Sequence, residues 1–461
     1  MRVALVNPPA PDGNAVPPLG PLTLAAILEK AGHEVALFDH QFTDSIEEQL
    51  FDFRPRVVGF SAVTSSVLGA RRLAEKMKQR SPETSVIMGG PHPSVMPEEV
   101  VSWPEVDFVI VGEGEIAFPA LLEWLDHRGT VQQLDRIGNL FYRDGTRIVC
   151  TPRAAFLTSE ELEQLPLPAY HLLDINAVAT RMRHGVFRKG RRVLPYMTSR
   201  GCPHLCSFCC GNMGRKIRRK STATVLHELE HLIESFELDE VYFEDDNFTA
   251  HRASAMEILD TIAKRWPGLH IKFANGMRAD GIDESMLEKM KKAGCYALSF
   301  GVESGSARVL DLMHKRLDLA KAADAIGRSK KMGFLVGGNM IVGYPGETEE
   351  DIWESFAYFK HLKLDSIAIV NLIPFPGTSV RTLCEEKGFL TEAARSWDNY
   401  YFDVKDPKIL IATDVMPEEH LKRVMKKLFF RLYTDPQRVL SLLPNMRMKD
   451  VIEGVKLIMR K

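Results

Sequence analysis

An alternation of short apolar runs with amphipathic stretches begins within the first ten residues and constrains this chain more than any other feature. VALVNPP reads as a strand, and PLTLAAILEKAG as a helix ended by Gly32. HEVALFD, RVVGFSAV, SVIMGG and DFVIVGEGE read as further strands. SVLGARRLAEKMKQR and AFPALLEWLDH read as further helices. Strands that alternate with helices form a mostly parallel sheet covered on both faces. Residues 1–125 are therefore expected to fold as a doubly wound, Rossmann-like domain. Ligands of such sheets bind at the carboxyl ends of the strands. Those ends carry Asn7-Pro8-Pro9, Ser61 to Ser66, Gly89-Gly90-Pro91-His92 and Gly112-Glu113-Gly114. Glycine, proline and small hydroxyl residues there predict a shallow, hydrogen-bonding rim suited to a large polar cofactor.

Residues 126–190 read as a connector. IGNLFYRDGTRIVCTP has the pattern of a hairpin turning at Asp144-Gly145, and EELEQLPLPAYHLLD is a proline-punctuated loop. From Arg191 the alternation resumes. About six strand–helix units up to residue 383 predict a partial (β/α)6 barrel of the TIM type, with functional groups at the carboxyl ends of its strands. Residues 384–461 read as a small, mostly helical region.

The chain has 461 residues, enough for two or three domains. A formal net charge of −2 gives no bulk field toward nucleic acid or anionic lipid. The N-terminus MRVALVNPP is expected to be a first strand rather than a signal peptide, and no apolar run is long enough for a transmembrane segment. Four of the seven cysteines fall between Cys202 and Cys210. A disulfide framework would spread them through a small secreted domain. Crowding in a large chain points instead to metal in a reducing compartment, and so to a cytoplasmic location.

The crowded segment reads Thr198-Ser199-Arg200-Gly201-Cys202-Pro203-His204-Leu205-Cys206-Ser207-Phe208-Cys209-Cys210, just after a strand. Three thiolates on one tight loop can hold three irons of a 4Fe–4S cluster and leave the fourth iron open. Structural zinc, completed by Cys210 or His204, is the alternative. Adjacent Cys209 and Cys210 are poorly placed to reach one ion together.

C-x3-C-x2-C with the aromatic Phe208 before the third cysteine resembles the radical S-adenosylmethionine (SAM) superfamily signature. The resemblance implies Cys202, Cys206 and Cys209 as cluster ligands, with SAM chelating the open iron and yielding a 5′-deoxyadenosyl radical. It extends over residues 190–383. Glu244-Asp245-Asp246 stands where the family contacts the SAM amino group. Arg278 resembles the arginine near the SAM carboxylate, which a guanidinium fork suits. Glu303-Ser304 resembles the acidic strand end that meets SAM ribose or methionine. Gly343, in Met340 to Glu347, ends a strand whose backbone packs beside adenine, and Asn371 to Thr378 closes the series.

Residues 1–125 resemble the cobalamin (B12)-binding domain that precedes the barrel in one subfamily, through PPLGPLTLAAILEKAGHEVALFD, VVGFSAVTSS, GGPHPSV and VIVGEGE. The Asp-x-His-x-x-Gly motif that supplies an axial histidine is absent, so cobalamin is expected without one. Its implied contacts are Pro9, Thr64, Ser65, Ser66, Gly89, Gly90, His92, Gly112 and Glu113. Arg215 to Lys220 forms a basic run. It reads either as a solvated helix start or as a lip for an anionic substrate or a flavodoxin- or ferredoxin-type electron donor. No stacking aromatics interleave with it, so a nucleic-acid role is not expected.

The resemblance implies a C-methyltransferase that acts at an unactivated carbon of a small-molecule or lipid-like substrate through methylcobalamin. Ring formation or rearrangement on the same domains is a second reading, and a non-catalytic corrinoid or iron–sulfur carrier a third. A methylthiotransferase would need a second compact set of three cysteines, which the sequence lacks.

Overall fold

A computed structural model of the chain describes residues 1–11, 15–127, 129–182, 187–273, 275–403 and 406–434. The chain divides into two compact units. One is Met1–Pro203 with Cys210–Ala274, and the other is His204–Cys209 with Asn275–Lys461.

The first unit is built on a seven-stranded sheet: β1 (Arg2–Asn7), β2 (Glu34–Asp39), β3 (Val57–Ser61), β4 (Ser85–Gly89), β5 (Phe108–Ile110), β6 (Leu140–Asp144) and β7 (Arg147–Cys150), in the order β2-β1-β3-β4-β5-β6-β7. The first five strands are parallel. Val57, Val58, Gly59 and Phe60 of β3 are all buried, as both-faced cover requires. The helix Val67–Arg80 gives one reason for that cover. It turns Val67, Ala70, Ala74 and Met77 inward at helical spacing. The helix Ala117–His127 adds Phe118, Leu121 and Leu122 to a core shared with Val3, Leu5 and Ile87. The strand order reverses between β1 and β3, which is where a sheet of this type opens a ligand crevice.

The predicted hairpin forms, with Asp144 opposite Arg147 and Gly145 at φ +60°. It does more than connect, because β6 pairs antiparallel with β5 and extends the sheet. Helices Ile46–Phe53, Pro91–Val95 and Pro97–Ser102 were not anticipated. The last two begin on prolines, which read as breakers in sequence but are tolerated in a first helical turn.

After the hairpin the first unit holds β8 (Val193–Tyr196), the two-residue strands β9 (Ser199–Arg200) and β10 (Arg218–Arg219), β11 (Glu240–Phe243) and β12 (His270–Phe273). β8, β11 and β12 form a parallel sheet in the order β12-β11-β8, and β9 pairs antiparallel with β10. In the second unit β13 (Ala297–Glu303), β14 (Leu335–Val342) and β15 (Ser366–Asn371) form a second parallel sheet of three. Each of these six longer strands is followed by a helix, as the partial (β/α) barrel requires. Side chains of Ser221, Asp283, Asp318, Thr348 and Thr378 cap the helix starts. The C-terminal region is helical at Glu418–Tyr433, and residues 435–461 of that expected region lie outside the described residues.

Candidate functional site

The cysteine loop leaves the first unit after Pro203 and returns to it at Cys210. Its middle, with Cys206 and Cys209, belongs to the second. On the first unit's side Cys202 N–H donates to Gly214 O at 3.2 Å, and Gly201 N–H to Asp246 Oδ2 at 3.0 Å. Gly201 has φ +94°, and a Cβ there would come within 2.4 Å of the Lys216 carbonyl, so the loop needs glycine. On the second unit's side a tight turn closes from Cys209 N–H to Cys206 O at 3.1 Å. Ser207 anchors it, donating from N–H and Oγ to Met313 O at 2.9 and 3.1 Å. Cys206 is buried and Cys209 exposed. Among the described residues no three His, Cys, Asp or Glu side chains converge on one ion. A closed zinc site needs such convergence. A cubane cluster does not, because each thiolate takes its own iron.

The acidic strand end after β11 divides by burial. Asp245 is buried, and its Oδ1 accepts from Thr198 Oγ1 and Ser199 Oγ, both at 2.6 Å, while Oδ2 accepts from Thr198 N–H at 3.1 Å. Burial pushes its carboxyl up to about 6 against these hydrogen bonds. It therefore braces the segment leading into the cysteines. Glu244 is half-buried and Asp246 exposed. Phe243, Phe248 and Phe273 pack around the same strand ends, with ring centroids 4.7–5.7 Å apart.

In the second unit three residues singled out from the sequence gather around one that was not, Lys315. Its Nζ lies 3.2 Å from Glu303 Oε1 and 5.8 Å from the centre of the Phe208 ring. Its carbonyl accepts from Arg278 Nη1 at 2.6 Å. Arg278 also pairs with Asp280 at 2.9 Å, so its guanidinium is held by protein groups. Glu303 sits at φ +70° beside a β-bulge, an unusual conformation for a residue other than glycine. Burial raises its carboxyl while Lys315 opposes the shift. Ser304 is fully buried and shares a hydrogen bond with Ser355 at 2.8 Å. Gly343, at φ +83°, donates N–H to Glu347 Oε2 at 2.6 Å, and Tyr344 N–H donates to the same oxygen at 3.2 Å. Burial pushes Glu347 up to about 8. No local sequence pattern distinguishes Lys315, since its partners come from three separate segments.

At the carboxyl ends of β1, β3, β4 and β5 the first unit contains a cavity of about 380 Å³. Gly89, Gly90, Gly112 and Glu113 line it, as do Tyr196 to Arg200 after β8 and Asn212 and Met213 after the cysteines. One cavity thus receives both the first sheet and the flanks of the cysteine loop. It is not the shallow polar rim expected from sequence. It runs inward past Leu5, Leu24, Ile87 and Phe118, between sheet and helices, so much of its wall is apolar. Gly90 has φ +94°, and a Cβ there would meet Ala62 N at 2.8 Å.

Pro9, Thr64, Ser65, Ser66 and His92 do not line the cavity. Ser66 Oγ accepts from Val63 N–H at 3.1 Å and caps a turn. The Pro9 carbonyl stands 2.5 Å from where a Cβ on Gly69 would be, so that contact requires glycine. His92 is fully buried, with Nδ1 3.2 Å from Thr64 Oγ1, and burial lowers its pKa to about 4, leaving a neutral ring. The basic run does not start a helix, since Arg218–Arg219 form β10, and two of its charges are not left to solvent. Arg218 is buried against Glu113, and Lys220 bonds Glu228 at 2.6 Å. Their charge is compensated inside the protein.

Among the described residues no helix is long and apolar enough to cross a membrane. A family model for the B12 binding domain matches residues 10–122, and one for the radical SAM superfamily matches residues 196–359. The chain is 28% identical to an uncharacterised methyltransferase of Pyrococcus horikoshii, over 100% of this chain and 97% of that protein. It is 28% identical to cytidylyl-2-hydroxyethylphosphonate methyltransferase of Streptomyces wedmorensis, over 81% of this chain and 78% of that one. In fold it is similar to the radical SAM methyltransferase TsrM of Kitasatospora setae, a structure determined with cobalamin and a 4Fe–4S cluster bound. The TM-score is 0.68 at 20% identity, covering 85% of this chain and 76% of that one. With both domains matched in order, and the cysteine loop and strand ends where that order needs them, the chain belongs to the radical SAM superfamily, in the group that carries an N-terminal B12-binding domain.

Proposed function

We propose that the chain is a cobalamin-dependent radical SAM methyltransferase that adds a methyl group to an unactivated carbon of a small-molecule or lipid-like substrate. The observation that carries this reading is the cavity in which the strand ends of the B12-binding sheet and the flanks of the cysteine loop line the same space. When bound, the 4Fe–4S cluster supplies the electron that cleaves SAM, and cobalamin supplies the carrier for the transferred methyl group.

In this reading Cys202, Cys206 and Cys209 hold the cluster, and Cys210 does not. Three thiolates of one loop, each taking a separate iron, fit a cubane with one open corner. Gly89, Gly90 and Gly112 let backbone approach the corrin closely, and the apolar wall beneath excludes water. His92, neutral and hydrogen-bonded to Thr64, would not supply an imidazole to the cobalt. Phe208, Glu244, Asp246, Glu303, Ser304 and Gly343 orient SAM. Asp245 and Arg278 act one step behind, holding the backbone that carries those contacts. The electron donor is a flavodoxin- or ferredoxin-type protein, and the location is cytoplasmic, where the thiolates stay reduced.

Anaerobic reconstitution with iron, sulfide, cobalamin, SAM and a low-potential reductant tests the reading. The expected result is four irons and one cobalt per chain, with formation of 5′-deoxyadenosine. A fully loaded protein that yields no 5′-deoxyadenosine refutes it. A substrate product without the mass of an added methyl group assigns ring formation or rearrangement instead.

A further inference from the structure

We propose that Glu113 is a positioning residue that ties the neck of the cysteine loop to the B12-binding sheet. The inference rests on the functional reading above, because it assigns a cluster to that loop. β9 and β10 are the neck. They bracket all four crowded cysteines, and Arg200 stands directly opposite Arg218 in their ladder. Two like charges at opposed positions destabilise a pair of strands, and a two-stranded ladder this short is marginal alone. The neck therefore needs a counter-charge. Glu113, just beyond β5, supplies it. Its Oε1 accepts from Arg200 Nη1 and Arg218 Nη1, both at 2.8 Å, and its Oε2 accepts from Arg218 Nη1 at 2.8 Å and Leu157 N–H at 2.7 Å. Glu115 completes the balance, pairing with Arg200 Nη2 at 2.7 Å. The three principal side chains are 7–15% exposed, so solvent screens the network little.

Glu113 also lines the cavity assigned to cobalamin. One carboxylate is thus part of the cavity wall and part of the loop's anchor. Its bonds to both arginines cross 87 and 105 residues of sequence, which makes it a tie between separate elements rather than a local cap.

Glu113→Gln keeps the side-chain volume and removes the charge. Arg218→Lys keeps the charge and removes the fork. Both are compared with wild type as full-length, reconstituted protein, and Glu105→Gln serves as a control. Glu105 is a buried partner of Arg71 in the same domain, away from the neck. The readouts are the rate of iron loss to a chelator and the electron paramagnetic resonance spectrum of the reduced cluster with and without SAM. Supporting groups around metal ligands are worth about 10–100-fold in metal retention. Glu113→Gln and Arg218→Lys are therefore expected to lose iron at least about tenfold faster and to show an altered spectrum, while Glu105→Gln matches wild type. If Glu113→Gln does not fold, Arg218→Lys decides. Wild-type rates and spectra in the neck variants overturn the proposal, and so does equal acceleration in Glu105→Gln. A wild-type protein that takes up no cluster overturns the functional reading itself, a different result from a wild-type cluster that Glu113→Gln leaves undisturbed.

Discussion

Replacing Asp245 by asparagine separates the cost of a buried charge from the value of its hydrogen bonds. Asp245 is 3% exposed, and burial raises its carboxyl from 3.8 to about 6. The folded protein therefore holds that proton more tightly than the unfolded chain does. The stability linked to this group is fully present below about pH 4 and is lost as pH rises through about 6. A shift of about two units corresponds to about 3 kcal/mol. Asparagine does not titrate, so the stability of Asp245→Asn relative to wild type should rise by about 3 kcal/mol between pH 4 and pH 7. The carboxylate accepts from one N–H and two hydroxyls on opposite oxygens. Below about pH 6 the wild-type group is a carboxylic acid, which an amide replaces closely, since the Thr198 and Ser199 hydroxyls can accept from the NH2 group while the Thr198 N–H meets its oxygen. The variant should thus lie within about 1 kcal/mol of wild type at pH 4 and be more stable at pH 7. Urea unfolding of the cluster-free chain at four pH values, followed by far-ultraviolet circular dichroism, measures the difference. A difference that stays flat from pH 4 to 7, or that moves against asparagine, refutes the assignment of Asp245 as a carboxyl strained by burial.

Three further outcomes follow from the same geometry. Alanine at Cys202, Cys206 or Cys209 should each abolish 5′-deoxyadenosine formation and lower bound iron, whereas Cys210→Ala should keep both. Gly90→Ala forces a side chain into the left-handed region 2.8 Å from Ala62 N, which should cost about 1–3 kcal/mol in a thermal melt and weaken cobalamin binding in a visible-light titration. Burial pushes Glu347 up to about 8, which favours the neutral form at pH 7, and its Oε2 accepts two backbone N–H groups. Glu347→Gln should therefore stay within about 1 kcal/mol of wild type at pH 7, while Glu347→Ala orphans both donors and should cost about 2–5 kcal/mol by the same melt.

The strand–helix alternation was legible because it repeats along the chain, and periodicity needs no partner to be seen. The turn at Asp144-Gly145 was legible for the same reason, since a hairpin closes on itself. What the hairpin docks against was not, because the pairing of Phe141 with Val109 depends on an edge that only the folded sheet presents. His92 and Thr64 illustrate another limit. Both sit beside strand ends and carry polar groups, as ligand contacts do, yet they face each other within the core.

The same limit sorts the charged residues of the candidate site. Glu113, Asp245 and Arg278 were each singled out from strand-end motifs as cofactor contacts, and each is engaged by several protein partners. A buried charge without such partners would be costly, so a full partner set marks a residue that holds the backbone in place. Glu303 differs. It is buried at a left-handed position, and Lys315, at 3.2 Å, is its one side-chain partner among the described residues. A carboxylate has about four acceptor positions, and one ammonium uses a fraction of them. Strain in the backbone and acceptor capacity in the side chain then coincide at Glu303. That combination suits a residue whose missing partner is a hydroxyl-bearing ligand, which is the role proposed for it toward SAM.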